Sequence, residues 1–309
     1  MKSISRLATG AVVATLTGFV SAPLAAQLPE HLRDYPLTSL KSKGDLVAPF
    51  FDGWIKNEDS SVTMIFGFMN RNQEEIVDIP LGTNNHIEPA QFDGVQPTHF
   101  PVYDRPGFVG IRERGVFAVT VPADMAGTEV VWTLTHAGHS YSIPGRATSA
   151  AYEMSSGEQA LGSLNPAIRF SLDGAAESTD REGIYAPKLT ASVGKPVTLS
   201  AYMQDRGNRA DYDEVESLTF PLGTEWVMHQ GPAIPEFDPK AITGRERGEE
   251  DAGSESSNNG WTLTTTRATF WEPGDYVIRL RVDNFAAPDS QFDNQCCWSN
   301  AYIPVTVTR

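Results

Sequence analysis

Cysteine is nearly missing from this chain: two in 309 residues, adjacent at Cys296 and Cys297. That excludes a small scaffold stapled by several disulfides. Catalytic signatures are missing too. The sequence contains no G-x-S-x-G, H-E-x-x-H, Walker loop or C-x-x-C, so nucleophile-elbow hydrolase, zincin, NTPase and thioredoxin-like readings have no motif behind them. Positive charge is scarce, with 24 Lys and Arg against 39 Asp and Glu and a net charge of −15. An acidic surface of this kind repels phosphate backbones, which excludes nucleic acid as the expected partner. No apolar run after the first 26 residues is long enough for a transmembrane helix, and no stretch of the same region carries a clear amphipathic helical period.

What is present begins with an export signal. Lys2 and Arg6 precede the apolar "LATGAVVATLTGFV", and "APLAA" ends in a small-x-small pattern that predicts cleavage after Ala26. Losing Lys2 and Arg6 takes the charge from −15 to −17. The expected location is secreted or periplasmic, with residues 1–26 as signal peptide and 27–43 as an N-terminal extension.

Beyond that point strand signals dominate. "SVTMIFGFMN" alternates with Val62, Met64, Phe66 and Phe68 on one face, "GVFAVTVP" with Phe117, Val119 and Val121, and "EVVWTLTH" with Val130, Trp132 and Leu134. Turn-rich segments lie between them, which predicts an antiparallel β unit over residues 44–146. Residues 147–184 are rich in Ala, Ser, Gly and acids and read as a connecting segment. Residues 185–309 return to strands. "ASVGKPVTLSAYMQD" places Val197, Leu199 and Ala201 inward. "RATFWEPGDYVIRLRVDN" places Tyr276, Ile278, Leu280 and Val282 inward, with Arg279 and Arg281 facing water. The polar stretch 239–260 reads as an inserted loop. The fold class predicted is all-β, two antiparallel sandwich-like domains.

The segments "VGKPVTLSA", "HQGPAIPEF", "ATFWEPGDYVIRLRVDN" and "IPVTVT" resemble PKD and related bacterial immunoglobulin-like domains. The resemblance covers residues 185–309 and implies a Greek-key sandwich. It implies little about activity, since function lives in sites grafted onto folds. The N-terminal unit, and the ending "CCWSNAY…VTV", look like a group of uncharacterised secreted bacterial proteins.

Few residues offer chemistry. In "WTLTHAGHSYSI", His136 and His139 flank Ala137-Gly138, a two-residue hairpin turn, so both imidazoles fall on one face. Two imidazoles suit a transition metal such as zinc or copper, with His86 and His99 as the further ligands available in the same unit. Asp283, Asp289 and Asp293 lie in the loop before the last strand and offer oxygen ligands to calcium. Trp271 and Trp298 sit near predicted turns, where an aromatic face stacks on a sugar or packs on a protein. Extending the last strand back from Val307 puts Cys297 inward and Cys296, Trp298 and Asn300 outward. Adjacent Cα atoms are about 3.8 Å apart, below the usual disulfide range of roughly 4.4–6.8 Å. The pair is therefore read as two free thiols on a strand or a vicinal disulfide in a distorted loop, with metal binding by the two adjacent thiolates behind both.

These readings predict a non-catalytic extracytoplasmic protein that binds a protein or glycan. The alternatives are a metal-assisted or carboxylate-based hydrolase centred on the N-terminal histidines, and a structural spacer of a surface assembly.

Overall fold

The computed structural model describes residues 39–103, 111–155, 157, 158, 162–173, 176–207, 221–244, 246, 260–285 and 297–309. The signal peptide and most of the extension lie outside these, as do Asp289, Asp293 and Cys296. Residues Leu40–Arg309 form one compact unit, and within it every long element is a strand.

The first half holds eight strands: β1 (Val47–Lys56), β2 (Val62–Asn70), β3 (Val77–Asp78), β4 (Asn85–Glu88), β5 (His99–Phe100), β6 (Arg112–Val121), β7 (Val130–His136) and β8 (His139–Gly145). They pair as β1-β2-β6, β4-β7-β8 and β3-β5. The alternation read from the sequence is the core. Phe66 and Phe117 stack at 5.3 Å, and Trp132 meets Phe117 edge-on at 5.0 Å. The Trp132 indole N–H donates to Asn85 Oδ1 at 3.0 Å, so the polar end of the largest core side chain is satisfied. The far face of β1-β2-β6 is covered as well, because Met154 N donates to Trp54 O and Met154 packs on Ile55, Ile65 and Ala118.

Two irregularities shape this sheet. β1 skips a residue at Asp52, between Phe51 and Gly53. β2 and β6 lose register between Phe66 and Phe68, where Gly67 stands against the stretch Arg114 to Val116. A Cβ at Gly67 would lie 2.3 Å from the Glu113 carbonyl oxygen and 2.5 Å from Asp52 Oδ2, so only glycine lets the strands approach here. Gly115 has φ of +54°, a conformation glycine adopts without strain. Bulges of this kind re-aim backbone groups out of a ladder, and here they turn the Gly115 and Val116 carbonyls outward.

The second half holds β9 (Ala167–Arg169), β10 (Glu177–Ser178), β11 (Ile184–Tyr185), β12 (Leu189–Ser192), β13 (Val197–Gln204), β14 (Gly223–Gln230), β15 (Glu236–Asp238), β16 (Ala241–Ile242), β17 (Thr262–Thr269), β18 (Gly274–Asp283) and β19 (Trp298–Thr308). One sheet runs β10-β9-β13-β17-β15; the other runs β11-β19-β18-β14-β16, with β12 also on β19. The segment 147–184, read as a connection, supplies β9 and β10 to the first of these sheets. β12 pairs with β19 in parallel, whereas β14, β18 and β19 run antiparallel.

This arrangement is immunoglobulin-like on its own evidence. β14, β18 and β19 stand in the order of strands C, F and G, and Trp226 on β14 is buried in the core. Tyr276, near the start of β18, donates its hydroxyl to Glu272 O at 2.8 Å, the tyrosine corner of such sandwiches. Replacing it, Tyr276→Phe, removes one hydrogen bond while keeping the ring on Phe270. The expected loss is about 1–2 kcal/mol, read as a lower denaturant midpoint at unchanged slope.

Candidate functional site

A dense group of buried charged and polar side chains lines one place, the seam where the bulge of β6 meets the outer face of β14-β18-β19. Register sets which residues face it. Arg279 lies opposite Tyr302, Arg281 opposite Asn300 and Asp283 opposite Trp298 across β18 and β19. Glu225 lies opposite Arg281 across β14 and β18. In a pleated sheet such cross-strand partners share a face.

Arg279 and Arg281 therefore do not face water, as the alternation of β18 suggested. The face they occupy is covered by the first sandwich. Arg279 donates to Val116 O and to Glu113 Oε1, both at 3.2 Å. Arg281 reaches the same Glu113 oxygen at 3.1 Å and Glu225 Oε2 at 3.0 Å, with Asp283 Oδ2 at 3.7 Å. Glu113 is 1% exposed, a carboxylate shared by two guanidinium groups. Burial works against the Arg281 charge, and the carboxylates of Glu225, Glu113 and Asp283 outweigh it, holding its pKa above the ordinary arginine range.

The outward carbonyls of the β6 bulge take the rest of the seam. Asn300 Nδ2 donates to Gly115 O at 2.9 Å and to Arg181 O at 3.0 Å, and the Tyr302 hydroxyl donates to Val116 O at 3.1 Å. Behind the bulge, Asp52 accepts from Gly115 N at 2.8 Å and pairs with Arg112. Burial raises the Asp52 pKa, against the pull of Arg112.

Trp298 also departs from its expected place. The reading put it outward and exposed, but it is 5% exposed. Its outward face is the seam itself: the indole N–H points at Gly115 O at 3.4 Å, and the Arg181 guanidinium lies over the ring at 4.4 Å. It holds two parts of this chain together and presents no platform to solvent.

A second anchor lies at the end of β14. His229 is buried, and its Nε2–H donates to Val95 O at 2.8 Å. The Gln230 side chain donates to Gly94 O and Gln96 O, and Thr98 N donates to His229 O. Burial first, and the Arg279 cation after it, hold His229 down at about 3, against the opposing hydrogen bond to Val95. The ring is neutral at neutral pH.

The other candidates separate. Asp283 is buried, its carboxylate beside Arg281 and accepting from Phe285 N at 3.2 Å. His99 pairs with Asp78 at 2.8 Å. His86 sits opposite Thr133 and therefore on the other face of β7 from His136, so the four histidines do not gather. His136 and His139 stand directly opposite each other. Among the described residues no group of three or more His, Cys, Asp or Glu is placed to hold a metal ion. Cys297 is buried and disulfide-bonded.

Aromatic exposure is uneven. All six tryptophans are described; five are buried, while Trp271, in the turn between β17 and β18, is 55% exposed. Gly194, close by, donates its N–H to the Phe270 carbonyl at 2.8 Å. Tyr185, which the sequence reading passed over, is 52% exposed and stacks at 4.9 Å on the buried Tyr302.

No family model matches the chain, and no curated protein matches it. Several solved structures are similar at low identity. The D0-D1 domain of intimin is 9% identical, covering 84% of this chain and 97% of that one at a TM-score of 0.25. The titin Ig tandem A164-A165 is 10% identical, covering 84% and 96%, at 0.21. Domains 4 and 5 of the S-layer protein SbsC are 9% identical, covering 59% and 66%, at 0.23. The immunoglobulin-like character of the C-terminal half lies in its strand order, the buried Trp226 and the tyrosine corner at Tyr276. The chain is an all-β protein whose C-terminal half is an immunoglobulin-like sandwich. Among the described residues no helix is long and apolar enough to cross a membrane.

Proposed function

We propose that this is an extracytoplasmic interaction protein that binds a glycan or protein partner without chemistry, through the aromatic end of its C-terminal sandwich. The observation that carries the reading is Trp271. A chain that buries five tryptophans leaves this one 55% exposed, on a turn tied down beside it by the Gly194 N–H, which donates to Phe270 O at 2.8 Å. An exposed indole on a stiff turn gives a large contact area with little side-chain entropy to lose. The ionisable groups buried at the seam support the same reading, because Glu113, Arg279 and Arg281 tie the two sandwiches together and leave a rigid body carrying a surface aromatic. A vicinal disulfide between Cys297 and Cys296 would brace the start of β19 beside that seam.

Trp271→Ala tests it. On a glycan array and in crosslinking to extracytoplasmic proteins, wild type is expected to bind, and the variant to bind at least about tenfold more weakly at unchanged melting temperature, as for an interface anchor worth more than about 1.4 kcal/mol. Equal binding by both, or no binding by wild type to either class, would sink the proposal.

A further inference from the structure

The tip of the β7–β8 hairpin carries a feature that neither the seam nor Trp271 uses. Ala137 and Gly138 form its two-residue loop with φ of +50° and +78°, both positive as a type I′ turn requires. That turn fixes the register, so His136 lies directly opposite His139. Directly opposed residues share a face with Cβ atoms about 4.5–5.5 Å apart.

The hairpin behind the tip is braced. Thr135 and Ser140 hydroxyls bond at 2.8 Å and Thr133 and Ser142 at 2.7 Å. Thr135 N also donates to Asn84 O, beside β4. The two histidines are thus held on a stiff frame before any ligand arrives. Their side chains differ in a telling way. His136 Nε2 is buried without a hydrogen-bond partner within the protein, as is His86 Nδ1. His139 is exposed, with its ring parallel to Tyr141 at 6.0 Å.

We propose that His136 and His139 are a two-imidazole chelate for a divalent transition ion, zinc or copper(II), with His136 Nε2 as the fixed ligand and His139 as the mobile one. Imidazole nitrogens bind such ions at about 2.0–2.1 Å, within reach of two rings on opposed positions. No third His, Cys, Asp or Glu joins them among the described residues, so water fills the remaining positions and the ion exchanges readily. Calcium and magnesium prefer oxygen ligands and do not compete for this pair. The net charge of −15 raises the local concentration of cations around the molecule.

Calorimetric titration of tag-free protein with zinc and with copper(II) tests the site. One ion per chain is expected, bound at least about tenfold more weakly by His139→Ala and by His136→Gln, and unchanged in His86→Ala. Because His139 is exposed, its removal leaves the fold intact, which keeps the outcome readable if His136→Gln is unstable. Absence of stoichiometric binding by wild type, or binding retained in His139→Ala, overturns the proposal. The Trp271 reading stands or falls separately, since neither histidine touches that end of the molecule.

Discussion

Replacing Glu113 with alanine is expected to destabilise the protein by about 3–5 kcal/mol, the cost of breaking a buried ion pair by removing one partner. The side chain answers two guanidinium groups at once, Arg279 at 3.2 Å and Arg281 at 3.1 Å. Arg279 is 1% exposed, and its other hydrogen bond goes to the Val116 carbonyl. Arg281 keeps Glu225 and Asp283, so the larger share of the loss falls on Arg279. The double variant Glu113→Ala with Arg279→Met removes both charges and is expected to recover a substantial part of that stability, since uncharged packing often replaces a buried pair at little cost. Denaturant midpoints of the two single variants and the double variant decide it. Additive losses would mean that the two charges are not coupled across the seam.

The second large effect is a dependence on acid. His229 in the folded protein takes up a proton only at about 3, against an ordinary value near 6.5. Below pH 6.5 the unfolded chain binds this proton and the folded one does not. Stability therefore falls as pH falls, at about 1.4 kcal/mol per pH unit, across the window from 6.5 down to about 3. Carried through that window, the loss from this one residue reaches about 4–5 kcal/mol. The physical cause is the closed space between β14 and the loop at Val95, with Arg279 close by. His229→Gln keeps an amide donor near Val95 O and removes the titration. Plots of unfolding free energy against pH for wild type and variant are expected to converge from pH 6.5 to 4.5. Parallel plots over that range would show that His229 titrates alike in the folded and unfolded chains.

Both effects sit where the first half of the chain covers β14 and β18, at the seam and at the His229 anchor beside it, and sequence reading missed both for a definite reason. Period-two alternation reports that one face of a strand is apolar; it does not report what covers the other face. In β2, β6 and β7 the inward residues read from the sequence are the core. In β18 the inward set Tyr276, Ile278, Leu280 and Val282 is likewise the core, but Arg279 and Arg281 read as solvent-facing because charge normally is. The signal that argued otherwise was in β19. Trp298, Asn300 and Tyr302 alternate with the core positions and are too bulky and too polar-tipped for an ordinary exposed edge. Such side chains suit a face that is closed but lined with carbonyls. The partner carbonyls came from the β6 bulge, and a bulge built around Gly67 and Gly115 leaves little trace in hydrophobic pattern.

The hairpin at His136 and His139 was legible because a two-residue turn fixes register locally. The metal group that also drew in His86 and His99 was not, since whether β4 and β5 turn their histidines toward that tip depends on pairings outside the local sequence.

Tied by the seam, residues 40–309 are expected to unfold as one cooperative body. Differential scanning calorimetry of the wild-type protein tests this directly. One transition with equal calorimetric and van't Hoff enthalpies is expected, splitting or losing that equality in Glu113→Ala. Two separate transitions in the wild type, one for each sandwich, would contradict it.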